Sequence, residues 1–144
     1  MTRVIHLRLP MPPTVNHMYW NLSSGGKVKT DDYRNFEEAA ALALNSQTPL
    51  SGPVGLRFVF HFRTAAGDVD NRLKPAQDIL QGCLFANDRQ VVDVGGRRGH
   101  KAPDDPHMEV IAWELDGTPE SFRPAIDYIV AYAIDCGVKI GYTL

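Results

Sequence analysis

Between Val54 and Arg63 the chain alternates without a break. Val54, Leu56, Phe58, Phe60 and Phe62 fall on one side, and Gly55, Arg57, Val59, His61 and Arg63 on the other. Successive side chains of an extended chain point to opposite faces, so the pattern predicts a strand with one strongly apolar face. Such a face must be buried against a second layer. Thr64 to Gly67 lead out of this strand. From about Asn71 to Gln81 the apolar residues Leu73, Ala76, Ile79 and Leu80 recur at helical spacing, and Gly82 supplies the stop. Gln90–Val94 then reads as a short strand.

The flanking segments extend this pattern. Val4–Leu9 alternates with Ile5, Leu7 and Leu9 on one face, and the prolines at 10, 12 and 13 stop it. Residues 14–30 read as a loop. Thr30-Asp31-Asp32 is a helix start, a cap followed by acids in the first turn. That helix runs to about Ser46 and turns Tyr33, Phe36, Ala40, Ala43 and Leu44 inward. Gly95–Pro106 reads as a basic, glycine-rich loop and Met108–Leu115 as a strand. Thr118-Pro119-Glu120 opens a last helix, with a proline at its first position. Phe122, Ile126, Ile129, Val130, Ala133 and Ile134 are its apolar face, Gly137 ends it, and residues 138–144 are expected to add a strand. The expected fold is α/β (α+β): one compact domain with a mixed sheet packed against helices.

At 144 residues and 44% hydrophobic content the chain is long and apolar enough for one core. No apolar run approaches a membrane span, and the N-terminus lacks a signal-peptide layout, so a cytoplasmic protein is expected. Cys83 and Cys136 fit reduced thiols packed in a core. The net charge of −2 hides an uneven distribution. Residues 1–56 carry +1, residues 57–101 carry +3 and residues 102–144 carry −6. The middle of the chain suits a phosphate backbone and the tail does not.

The chemistry concentrates in Asp68-Val69-Asp70-Asn71, followed by Lys74 and by Asn87-Asp88-Arg89-Gln90-Val91. Residues i and i+2 of an extended segment share a side, so Asp68 and Asp70 can aim at one point. Asp70 is expected to cap the helix, with Lys74 one turn along it. If the chain doubles back, Asp88 completes three acidic donors. Hard divalent ions bind through a few carboxylates plus water and substrate phosphate. Phosphodiester cleavage needs an activated water, neutralised charge in the transition state and help for the departing oxygen. The expected catalytic set is Asp68, Asp70, Lys74 and Asp88, with Asp68, Asp70 and Asp88 as metal ligands. The basic residues expected to contact a phosphate backbone are Lys27, Lys29, Arg72, Arg89, Arg97, Arg98 and Lys101. Tyr19 and Trp20 lie beside the two lysines and can stack on unpaired bases or pack on the core. Taken alone, Asp70-Asn71 reads more readily as a helix cap and Asp68 as a turn residue; Lys74, Asp88 and Gln90-Val91 reverse that balance. His17, His61, His100 and His107 show no zinc spacing and read as separate surface or strand residues.

Asp68, Asp70, Asn71, Lys74, Asp88, Gln90 and Val91, in this order and spacing, resemble the motif of the RusA family of Holliday junction resolvases. The strand Ile5–Leu9 running into Pro10-Met11-Pro12-Pro13-Thr14-Val15-Asn16 resembles the family's opening. The resemblance covers about residues 3–115, with Asn87 where the family commonly carries an aspartate. It implies a RusA-like core over residues 1–116, with an added helical extension over 117–144. It further implies a Mg²⁺- or Mn²⁺-dependent endonuclease, bacterial or phage-encoded, that cuts four-way or other branched DNA as a homodimer in recombination and repair. Two other readings compete. A metal-dependent Asp-x-Asp transferase would need a nucleotide-binding domain and a glycine-rich phosphate loop. A nucleic-acid-binding module with a vestigial site would suit Asn87 and the acidic tail.

Overall fold

The computed structural model describes residues 3–136. Its elements are β1 (Val4–Pro10), β2 (Tyr19–Asn21), β3 (Lys27–Lys29), α1 (Asp31–Leu44), β4 (Val54–His61), α2 (Asp70–Asp78), β5 (Val91–Arg98), β6 (His107–Glu114) and α3 (Arg123–Asp135). Four strands form one sheet in the order β1-β6-β4-β5. β6 runs antiparallel to both β1 and β4, while β4 and β5 are parallel, so the sheet is mixed as expected. Parallel neighbours need a crossover, and α2 lies in it.

The register sorts side chains into two faces. Ile5, Ala112 and Leu56 lie in one cross-strand row, Leu7, Val110 and Phe58 in the next, and Leu9, Met108 and Phe60 in a third. This face is the core, closed by Tyr33, Phe36, Ala40 and Leu44 of α1 and by Ala76 and Leu80 at α2. Gly96 of β5 has no side chain to hold α2 away. A Cβ there would lie 2.7 Å from the Leu73 side chain. That approach sets the start of α2 at the C-terminal end of the parallel pair.

α3 covers part of the opposite face, using residues that a hydrophobic pattern does not reveal. The Tyr128 hydroxyl donates to the Phe58 carbonyl at 2.9 Å. The Tyr128 ring lies 5.7 Å from the Arg57 guanidinium and 5.2 Å from that of Arg97. Arg57 also lies over Trp113 at 5.6 Å, and Arg97 over Tyr132 at 5.3 Å. The result is a ladder of alternating aromatic rings and guanidinium groups, each rung an attraction between a cation and a π face. Burial pushes the Tyr128 phenol up to about 12, against the pull of both arginines.

Several expectations change. The expected loop over 14–30 contains a 3-10 turn at Val15–His17 and the antiparallel hairpin β2–β3. The expected loop from Gly95 begins as strand, because β5 pairs with β4 as far as Arg98. Asp70 is the first residue of α2 and makes no capping bond; Val69 occupies the cap position in helical geometry. Most of the expected apolar face of the last helix faces solvent: Phe122, Ile126, Ile129 and Ile134 are exposed, Ile129 at 60%, while Val130 and Ala133 are half-buried. Cys83 is half-buried, whereas Cys136 is exposed rather than packed in the core. The strand expected over 138–144 lies outside the described residues. No helix among the described residues is long and apolar enough to cross a membrane.

Candidate active site

The acid motif follows β4 and opens α2, at the sheet end where β5 finishes. Its base is the Phe62 ring, buried at the edge of the core. Gly67 lies flat on that ring, where an added Cβ would sit 2.1 Å from a ring carbon. Arg98, in the cross-strand row of Phe60, covers the same ring at 4.9 Å and donates to the Gly67 carbonyl. Phe62, Gly67 and Arg98 therefore hold the backbone on which Asp68 stands.

Asp68 and Asp70 are brought together. The neighbouring Asp70 carboxyl, through a hydrogen bond and then its charge, raises Asp68 above the usual carboxylate value, and Arg98 opposes that shift. Asn71 Nδ2 donates to Asp68 Oδ2 at 3.0 Å and fixes its orientation. Two exposed carboxyls pressed together in this way repel, and a cation between them would relieve that repulsion. That donor set fits a hard divalent ion.

Lys74 stands one turn along α2 but turns from Asp70 to Asp78, 3.1 Å away, with its side chain 67% exposed. Asp88 does not join the pair within this chain. Gly67 is tied to Arg98 at the C-terminal end of β5, whereas Asp88 precedes the N-terminal end of that strand. A strand of eight residues separates these ends by roughly 23 Å at about 3.3 Å per residue. Among the described residues, no group of three His, Cys, Asp or Glu side chains is arranged to hold a metal ion.

The Asp88 turn is nevertheless well built. Asn87 accepts from the Arg89 amide at 2.9 Å, a bond an aspartate would also make. Gln90 Oε1 accepts from the Ala86 and Asn87 amides, and Gln90 Nε2 donates to the Leu50 and Gly52 carbonyls. Gln90 thus pins the turn to the body, and Asn87 keeps the cap while removing one charge beside Asp88.

The basic candidates divide. Lys27, Arg89 and Lys101 are exposed. Lys29 pairs with Glu37 at 3.0 Å. Arg72 is half-buried, donates to the Pro12 carbonyl and lies over Phe62, so it braces the proline loop. Arg97 is on the far face of the sheet from Arg98, its side chain only 16% exposed beneath α3.

That far face holds a cluster that sequence spacing does not show. His61 makes bonds of 2.8 Å with Glu109 and 2.9 Å with the His100 carbonyl, and it stacks on His107 at 4.5 Å. His6 lies 3.9 Å from the same Glu109. Burial works to raise the Glu109 carboxyl, but the His61 bond and the charges of His61, His6 and His107 outweigh it and hold Glu109 below its ordinary value. The only sequence signal was alternation: His61 and His107 sit at one register position of two paired strands.

A family profile described as endodeoxyribonuclease RusA matches residues 10–111, which span the proline loop, the acid pair, the Asp88 turn and most of β6. The chain belongs to the RusA endodeoxyribonuclease family. The match ends within β6 and leaves α3 outside it. No curated protein sequence matches the chain. RusA cuts within DNA, and the elements that build the Asp68–Asp70 pair all lie inside the matched stretch.

Proposed function

We propose that this RusA-family protein is a divalent-metal-dependent endonuclease that resolves four-way DNA junctions as a homodimer, in recombination and repair. The observation that carries this reading is the close pair Asp68 and Asp70, with Asp68 raised by its neighbour, at a sheet end beside Arg98. Asp68 and Asp70 would hold the ion, Mg²⁺ or Mn²⁺. When bound, the ion supplies Lewis acidity and lowers the pKa of a water. Asn71 keeps Asp68 aimed, and Arg98 keeps Gly67 on its ring. Lys74 would meet the scissile phosphate. Leaving Asp78 costs little, because exposed i,i+4 pairs are worth about 0.3–0.5 kcal/mol. Lys27, Arg89 and Lys101 would contact the DNA backbone.

The remote position of Asp88 supports the homodimer. Two copies related by a two-fold axis would present the partner subunit's Asp88 to each Asp68–Asp70 pair, and each site would nick one of two equivalent strands. The segment 117–144 would be an addition to this core.

The test is strand nicking of a four-way junction and of linear duplex of the same sequence, with and without Mg²⁺. Paired, metal-dependent nicks on the junction are expected. Metal-independent cutting, or equal cutting of linear duplex, would refute the proposal. A mixture of Asp70→Asn and Asp88→Asn chains addresses the shared site. If Asp88 acts across the dimer, the mixed dimer regains one intact site and nicks one strand; if it acts within its own chain, both sites stay dead.

A further inference from the structure

Apart from Lys27, the hairpin β2–β3 is not used by the chemistry above. Its register pairs Tyr19 with Lys29, Trp20 with Val28 and Asn21 with Lys27. Alternation puts Tyr19 and Lys29 on one face and Trp20 and Val28 on the other. The first face is anchored on α1. Tyr19 meets Tyr33 edge-on at 5.6 Å and 86°, and Lys29 lies 5.5 Å over the same ring while pairing with Glu37. The root is tied twice, by the Thr30 hydroxyl donating to the His17 carbonyl at 2.6 Å and the Thr30 amide donating to the Met18 carbonyl at 3.0 Å. The tip closes through Leu22–Gly26 hydrogen bonding, with Gly25 and Gly26 at φ of +87° and +85°. An anchored hairpin therefore presents its other face outward.

That outward face carries Trp20, 59% exposed, whereas the other tryptophan, Trp113, is fully buried. The hairpin is joined to the helix that the acid motif opens. The 3-10 turn that leads into it packs on α2. Tyr33, its anchor, is held above the ordinary phenol range by burial first, and then by Tyr19, Glu37 and Asp78, the last being the partner of Lys74. Lys27 adds an exposed positive charge at the tip. A rigid, exposed indole on a hairpin tied to the helix of the acid motif suits one chemical feature of branched DNA. At a branch point, bases lose stacking partners and offer a free π face; within linear duplex both faces are covered.

We propose that the hairpin Tyr19–Lys29 is a branch-recognition pin, with Trp20 stacking on an unpaired base at the junction centre. This rests on the endonuclease reading above. Trp20 would select branched over linear DNA without touching the reacting phosphate.

The experiment uses full-length protein without divalent metal, titrated with a four-way junction and with linear duplex of the same sequence. Because Trp113 is buried, the change in tryptophan emission reports Trp20. The expected result is quenching by the junction and little change with duplex. Trp20→Ala should lose about 10–100-fold in junction affinity, the range for one stacked base, with a much smaller loss on duplex. Trp20→Phe should recover most of it. The melting temperature should hold in both variants, since Trp20 is largely outside the core. Equal junction affinity of Trp20→Ala and wild type, or equal losses on junction and duplex, would overturn the pin while leaving the nuclease reading intact. A wild-type protein that neither binds nor nicks junctions would overturn both.

Discussion

Arg98 ends β5 on the helical face of the sheet, where its guanidinium donates to the Gly67 carbonyl and covers Phe62 beside Asp68. Arg97 precedes it by one pleat and points the other way, between Tyr128 and Tyr132 of α3. The two residues have the same side chain, yet one steadies a cluster of acids and the other fastens a helix. The faces also treat carboxylates oppositely. Beside Arg98, Asp68 is raised by Asp70; across the sheet, Glu109 is held low by its imidazole neighbours. A residue's role here follows from the parity of its strand position.

The contrast predicts that substitutions on the acid side change turnover and those on the α3 side change stability. The largest effect belongs to Asp70→Asn. It removes one charge from the pair at constant size, and junction cleavage should fall roughly 10³-fold, the upper end for losing one charge-stabilising group. Metal-free junction affinity should hold or rise, because repulsion of the phosphate falls. Near wild-type cleavage in limiting Mg²⁺ would break the acid half of the comparison.

Gly67→Ala comes next. Its methyl group meets the Phe62 ring, so Asp68 must shift, and a displacement of about 1 Å can cost about 10²-fold in rate. Single-turnover nicking measures this. An unchanged rate would mean that the ring does not position the acid.

Arg98→Ala and Arg97→Ala test the comparison most directly. Arg98→Ala should lower kcat/KM about tenfold, the scale of one charged hydrogen bond. Arg97→Ala should leave the turnover of folded protein unchanged but destabilise it by about 1–3 kcal/mol, through lost cation–π contacts and packing. Denaturant melts and nicking rates on both variants separate the two roles. Reversed outcomes would sink the assignment.

The smallest effects are pH-dependent and opposite in sign. A carboxyl raised by folding binds its proton more tightly in the native state, so its contribution to stability is lost as pH rises through the folded value. Asp68→Asn should therefore stabilise the metal-free protein above the acid range, with the gain fading at lower pH. Glu109 is depressed, so its contribution is present above the unfolded carboxyl value and lost as pH falls through the folded one. Glu109→Gln should destabilise near neutrality by less than about 1 kcal/mol, given the partial exposure of the pair, and the deficit should vanish in acid. Melting curves across pH 3–7 would show two difference profiles of opposite slope; parallel profiles would contradict the two environments.

Much of this protein was legible in local sequence. The alternation of Val54–Arg63 announced the central strand, because it depends only on the two-residue period of an extended chain; Asp68 and Asp70 do come together, but across the helical Val69 that leads into α2 and not along an extended segment. Thr30 was legible as a cap because the bond it makes, to the Tyr33 amide, spans three residues. What local pattern could not reach depended on pairing at long range. Gly95 and Gly96 resemble a loop in sequence, but β4 captures them as strand, and that pairing sends Arg97 and Arg98 to opposite faces. Asp88 appeared able to meet Asp68, but the parallel crossover brings the chain back at the far end of β5. The aliphatic stripe of α3 lost to Tyr128, because a half-buried ring with a hydrogen bond to Phe58 and two guanidinium neighbours docks the helix more specifically than Ile129 or Ile134 can. Sequence by itself determined most of the elements and the spacing of the two acids, since neighbouring residues dictate them. Tertiary structure decided which cations lie beside the acids and which lie under α3, since face and distance exist only once the strands have paired.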